Sequence, residues 1–210
     1  MKNTLVKARK YIANTPESGV LLALVLIMGV TQLINPHFLS AANMTSMLKS
    51  IPFIALATLG ASFCLITQNV DISIGRVAGL VGMVFGYILT HGGNLPLAIL
   101  GGLGVGLLVG VINGVLVVHV GVSSFIATMG TLYISGGLRC LINKATAMTL
   151  PESYRTFSQA TPLGISWFFW IVVAIYVIVG FVQRKTVYGR QLYAVGSNID
   201  VAKLQGVNTK

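Results

Sequence analysis

The chain has 210 residues, of which 55% are hydrophobic and only 9% charged, with a mean hydropathy of +0.85. Soluble domains carry about 25% charged residues, so this chain lacks the polar side chains to cover a water-facing surface and must meet lipid. Its net charge of +10 does not point to nucleic acid, because the basic residues cluster at the ends of apolar runs and no stacking array of aromatics accompanies them.

The basic start (Lys2, Lys7, Arg9, Lys10) reads as a cytoplasmic N-terminal segment, 1–18. Apolar stretches follow near 19–35, 51–68, 73–90, 95–118, 122–142 and 164–182, each close to the ~20 residues that cross a hydrocarbon core. They are apolar on every face instead of alternating, which selects helices over barrel strands. The expectation is an all-α polytopic transmembrane bundle of about six spans, 19–182, followed by a cytoplasmic tail, 183–210. The first run also has the basic start and the "FLSAAN" sequence of a signal peptide. It is long for a signal core and five more runs follow, so it reads as an uncleaved anchor.

With the N-terminus inside, Arg184, Lys185, Arg190, Lys203 and Lys210 join the four N-terminal cations on the cytoplasmic side. Lys49, Lys144 and Arg155 then fall in outer loops. This asymmetry obeys the positive-inside rule, and Trp167 and Trp170 suit an aromatic belt at the outer start of the sixth span.

The third span opens with "QNVDISIGRVAG". Asp71 is one of four acidic residues in the chain. It can cap a helix by accepting the N–H of Ser73 or Ile74, or start that helix below the membrane surface beside a solute path. Arg76 lies about 140° around a helix from Asp71, so a direct pair is not assured, and it can snorkel instead. Gly75, Gly79, Gly82 and Gly86, then Gly102, Gly106, Gly110 and Gly114, form small-residue stripes for close helix contact. Asn113 interrupts the second stripe and needs a partner, either on another helix or in a solute. In "SSFIATMGTLYISGG", Ser124, Thr128 and Thr131 share one helical face and can bond carbonyls or a polyhydroxylated ligand.

Cys64 and Cys140 sit inside apolar segments and read as inert packing. His37, His91 and His119 lie near segment ends, and no metal-ligand spacing is present. There is no GxxxxGK[ST] loop for ATP and no nucleophile–base constellation, so no cofactor and no catalysis are expected of this chain. In the tail, "SNIDVAKLQG" reads as a short helix capped by Ser197 or Asn198 and ended by Gly206. Val201 and Leu204 share a face that asks for a docking partner.

The ordered set "VDISIG", "GVINGVLVV", "SSFIATMGTLYISGGL" and "TVYGRQLYAVGSNIDVAKLQGV" closely resembles the membrane permease subunits of ribose-, galactose- and xylose-type ABC sugar importers, over roughly residues 20–208. The resemblance implies an inner-membrane subunit that carries a monosaccharide. It also implies a periplasmic sugar-binding protein, a second permease subunit (the same or different), and a cytoplasmic ATPase that holds the ATP and Mg. Asp71, Ser73 and Gly75 match the family's "D-hydrophobic-S-hydrophobic-G" signature. Asn113, Gly114, Phe125, Thr128 and Gly130 match later ones. With Thr131 from the helical-face reading, Asp71, Ser73, Asn113, Phe125 and Thr128 are the path candidates. Gly189, Arg190, Tyr193, Gly196, Asn198, Ala202 and Gly206 correspond to the ATPase-contact loop. Such permeases often have a small residue where Arg76 stands, and they usually continue for about a hundred residues and roughly four spans beyond this loop, so the chain reads as truncated or partial. The other classes kept open are a secondary carrier or channel, against which the single carboxylate near any span argues, and a permease fragment that transports nothing.

Overall fold

In lipid, a backbone N–H or C=O without a partner costs several kcal/mol, so apolar runs of this length close their hydrogen bonds within themselves as helices. The computed structural model describes residues 17–144, 148–152, 154 and 165–209. Its helices include α1 (Glu17–Ile34), α2 (Ala41–Ile66), α3 (Ile74–Thr90), α4 (Leu95–Val118), α5 (Ser124–Asn143), α6 (Trp167–Lys185), α7 (Val187–Ser197) and α8 (Ile199–Leu204). The described residues contain no strand. The basic segment before residue 17 and Arg155 lie outside them.

The chain divides into two compact units, Met1–Leu48 and Lys49–Lys210. In the first, a polar clamp closes the turn after α1. Gln32 donates to the Pro36 carbonyl at 3.0 Å and accepts from the Leu39 N–H at 2.9 Å, while Asn43 donates to the Phe38 carbonyl at 2.6 Å. Ser40 accepts the Asn43 N–H and so caps α2. That helix therefore begins at Ala41, ten residues before the apolar run expected from 51, and Lys49 lies within a helix and not in a loop. Hydropathy alone missed this extension because "AANMTSMLKS" is polar but follows a capping Ser40 and holds good helix formers. Pro52 lies inside α2 and has no N–H to give the carbonyl four residues back.

In the second unit, α3 is the centre. It runs antiparallel to α4: Gly102 lies against Val81, and further along Asn113 reaches Ser73. It runs parallel to α5: Val70 meets Ser124, Ile72 meets Thr128, and Gly79 lies under Arg139. The expected close contact along the glycine stripes holds for part of each. Gly102 and Gly106 pack on Val81, and Gly79 and Gly86 are covered, but Gly75, Gly82, Gly110 and Gly114 face open space. The helices therefore meet only where the axes approach.

Among the described residues four helices are long and apolar enough to cross a membrane, α2, α4, α5 (over Ser124–Ile142) and α6, whereas Ser18–Ile34 and Ile74–Thr90 are apolar but shorter. The 17 residues of α3 reach about 25 Å at 1.5 Å per residue, short of a ~30 Å core. α6 is tied to α2 by the Tyr176 hydroxyl, which donates to the Ala55 carbonyl at 2.7 Å, and by Phe168 against Phe53 at 4.7 Å between centroids.

Beside a small apolar core that includes Leu80 and Leu89, polar side chains are buried and many large apolar ones are exposed. Ser73, Asn113, Thr128, Thr131 and Ser135 are buried, while leucines and isoleucines along α1, α4 and α6 are exposed, as lipid-facing side chains are. Cys140 is exposed and Cys64 half-buried, so the expectation that both pack inside fails for Cys140. A small apolar side chain loses nothing by facing lipid.

The tail forms two helices where one was expected. Thr186 caps α7 by accepting the Gly189 N–H. Asn198 then breaks the chain in an extended conformation and caps α8 by accepting from Asp200 and Val201. Gly206, at φ +77°, stops α8 in the left-handed region that glycine enters without strain.

Candidate functional site

The site is built where α2 stops and α3 has not yet begun. Gln68 takes a left-handed conformation, φ +60°, and turns the chain off the end of α2, while the Asn69 N–H bonds the Cys64 carbonyl at 2.9 Å. Residues 70–73 then run without helix alongside the first two turns of α5. The Val70 N–H donates to Ser124 Oγ at 3.3 Å, and the Ile72 N–H to Thr128 Oγ1 at 3.4 Å. Thr128 passes its own proton to the Ser124 carbonyl at 2.8 Å. Side-chain hydroxyls thus take the place of a helical ladder, the condition under which irregular backbone survives at membrane depth. Because Ile72 meets the second turn of α5, α3 starts more than one turn into the length of its parallel neighbour.

Asp71 organises the break. Its Oδ1 accepts the Ser73 N–H at 2.8 Å and the Ser73 hydroxyl at 2.6 Å. The position that formally caps α3 is Ser73, whose own side chain makes no capping bond. Asp71 performs that task from two residues upstream, and its negative charge faces the positive end of the helix dipole. Ser73 Oγ also accepts a long bond, 3.5 Å, from Asn113 Nδ2 on α4. The other half of that amide, Asn113 Oδ1, is buried and has no hydrogen-bond partner. A buried acceptor left empty costs about 1–3 kcal/mol, so this atom is an open position for an O–H or N–H donor.

Of the expected path residues, the structure brings together Asp71, Ser73, Asn113, Thr128 and Thr131, the last donating to the Thr128 carbonyl at 3.1 Å. The Phe125 side chain is exposed on the first turn of α5, and only its carbonyl meets the cluster, accepting from Thr128 at 3.4 Å. Ser135, buried on the same face, was overlooked, although its offset of seven from Thr128 and four from Thr131 marks it. Arg76 makes no ion pair with Asp71. Its guanidinium lies over Gly136 of α5. Arg139, one turn beyond Ser135, was not singled out from the sequence.

The expected ATPase-contact residues divide into two groups. Gly189 is buried where a Cβ would strike the Gln183 carbonyl, and Gly196 sits against the Ile66 carbonyl at the end of α2. Gln68 Nε2 donates to the Gly196 carbonyl at 2.7 Å. Asn198 caps, Ala202 is buried, and Gly206 terminates, so these five hold the segment in shape. Arg190 and Tyr193 are exposed, as are Ile199, Val201 and Leu204. Together they form the outward face of α7 and α8.

Comparison with known proteins places this geometry in context. Residues 43–210 match a family described as branched-chain amino acid transport system / permease component. The autoinducer 2 import system permease protein LsrC of Escherichia coli is 32% identical over 202 residues, covering 96% of this chain and 59% of the relative. The protein of the same name from Photorhabdus luminescens is 31% identical, covering 95% and 61%, and that from Salmonella paratyphi B is 31% identical, covering 96% and 58%. The chain thus spans about three-fifths of the length of these relatives. No solved structure matches significantly. The chain is a multi-pass helical membrane protein, and it belongs to the branched-chain amino acid transport system / permease component family.

Proposed function

We propose that this chain is a membrane-spanning permease subunit of an ATP-binding-cassette importer of the cytoplasmic (inner) membrane, which passes a small hydroxylated solute of the monosaccharide class. The observation that carries the reading is the break between α2 and α3. There a carboxylate, three hydroxyls and an amide with an unfilled acceptor, Asn113 Oδ1, converge inside an otherwise apolar bundle. Polar groups at membrane depth are costly and mark solute routes. A hydroxyl of the solute would fill the empty acceptor as it passes, and the neighbouring Ser73 and Thr128 would exchange bonds with it. The LsrC relatives are named for import of autoinducer 2, which supports a small-solute importer.

Power comes from a separate cytoplasmic ATPase, which carries ATP and Mg and docks on α7 and α8. The outward Arg190, Tyr193, Ile199, Val201 and Leu204 offer it a mixed apolar and basic face. A periplasmic binding protein delivers the solute, and a second permease subunit completes the path. With the N-terminus inside, α7 and α8 lie in the cytoplasm. The test is reconstitution of the chain in liposomes with its cognate ATPase and binding protein. ATP-dependent solute uptake is expected. Uptake that persists with an inactive ATPase, or that follows an ion gradient, would replace this reading with a secondary carrier.

A further inference from the structure

The seam between α3 and α5 holds two cations that nothing in the described chain neutralises. Arg76, in the first turn of α3, lies across Gly136 of α5, where a Cβ would stand 3.6 Å from its Nη1. Arg139 of α5 lies across Gly79 of α3, where a Cβ would stand 3.1 Å from Nη1. The arrangement is reciprocal: each glycine gives the opposing arginine stem its bed. Among the described residues neither guanidinium meets a carboxylate, the one ion pair there being Lys203 with Asp200. Two like charges on neighbouring helices repel, and a guanidinium at membrane depth needs a counter-charge or water.

The place that Arg139 occupies is open. Arg139 lines a cavity of about 400 Å³ whose floor is Gly79, Gly82 and Gly86 and whose sides include Met83 and Met148. Arg139 also continues the face of α5 that carries Thr128, Thr131 and Ser135, from which it lies eleven, eight and four residues on. A line of buried hydroxyls therefore leads from the Asp71 break to a guanidinium beside open space. A planar fork with five donors matches an oxyanion in two-point contact.

We propose that Arg139, with Arg76 beside it, is the recognition point for an oxyanion group, carboxylate or phosphate, on the hydroxylated solute that this chain passes. The inference rests on the permease reading and narrows its substrate class from neutral sugars to hydroxylated acids or phosphorylated solutes. The hydroxyl ladder holds one end of such a molecule and the guanidinium the other.

The test needs no ATPase, so it stands or falls apart from the uptake assay. The full chain in nanodiscs of phosphatidylcholine is heated while the fluorescence of Trp167 and Trp170 is followed. Potassium gluconate and potassium phosphate are titrated against potassium chloride at matched ionic strength. The unfolding midpoint is expected to rise saturably with the oxyanions and not with chloride. Arg139→Gln should raise the half-saturating concentration by about tenfold, the loss of one charge-assisted contact, and Arg139→Lys by less. Gly82→Leu, which fills the cavity and leaves both arginines in place, should abolish the response, and it decides the matter if Arg139→Gln does not fold. Arg184→Gln, at the end of α6, should change nothing. A wild-type response absent, matched by chloride, or surviving both Arg139→Gln and Gly82→Leu would overturn the proposal. So would stabilisation by phosphatidylglycerol doped into the nanodiscs with none from gluconate or phosphate, which would assign the site to a lipid headgroup.

Discussion

Gly196→Ala is the smallest change that tests how the C-terminal helices α7 and α8 are held. At this position the backbone of α7 meets the end of α2, and an added Cβ would fall on the Ile66 carbonyl oxygen. The obstacle is backbone and cannot rotate away, so the overpacking cost belongs at the upper end of its range, about 3 kcal/mol. Moving α7 off also breaks the bond from Gln68 Nε2 to the Gly196 carbonyl, 2.7 Å, which contributes about 1 kcal/mol. Alanine is the better helix former and returns about 1 kcal/mol. The net is about 3 kcal/mol, near a hundredfold in the ratio of docked to undocked α7. Hydrogen exchange of the chain in nanodiscs reads this directly: amides of Leu192–Ser197 should exchange about a hundredfold faster, while those of α4 and α5 keep their rates. Gly104→Ala, with nothing within 4 Å of the added Cβ, is the control and should leave exchange in α7 unchanged. Unaltered exchange in Gly196→Ala would show that α7 is not seated on Ile66, and the account of the tail would be wrong.

Other substitutions separate local support from function. Asp71→Ala removes both bonds to Ser73 and should destabilise the first turn of α3 by about 1–2 kcal/mol, seen as roughly tenfold faster exchange at Val77 and Ala78 and no change in α6. Asn113→Leu gives up only a 3.5 Å bond and an acceptor with no partner, so the unfolding midpoint should hold within experimental scatter while reconstituted uptake is lost; a large loss of stability with uptake retained would refute the assignment. Gly102→Val should part α3 from α4, because Val81 already lies 3.3 Å from the added Cβ, and cost about 1–3 kcal/mol, whereas Gly110→Val, facing open space, should cost little.

Hydropathy located each of the six apolar helices because lipid imposes a uniform demand on long runs, and the cap at Asn198 carries its own local chemistry. Helix ends were harder where polar residues continue a helix, as in the first turns of α2, or where α7 relies on Thr186 and on packing against Gln183 and Ile66. The site was half legible. Asp71, Ser73 and Asn113 stand out as polar residues in apolar context, and Thr128 and Thr131 as a spaced pair. Two features depend on how α3 and α5 align and have no one-dimensional signal: the depth at which α3 begins, and the crossing of Arg76 and Arg139 over each other's glycines. Gly189 and Gly196 look like partner contacts in a linear motif, but their missing side chains first serve the chain's own fold.

The central claim is that the Asp71 break opens onto an aqueous solute route and is not merely a buried turn. Single cysteines at Ser73 and Thr131, in a chain with Cys64 and Cys140 replaced by alanine, test it through modification by a small membrane-impermeant methanethiosulfonate reagent in proteoliposomes. The account predicts that both positions react, that added solute protects them, and that a cysteine at Leu80, buried in α3, does not react. Labelling of neither polar position, with Leu80 equally silent and an exposed position on α7 reactive, would contradict it.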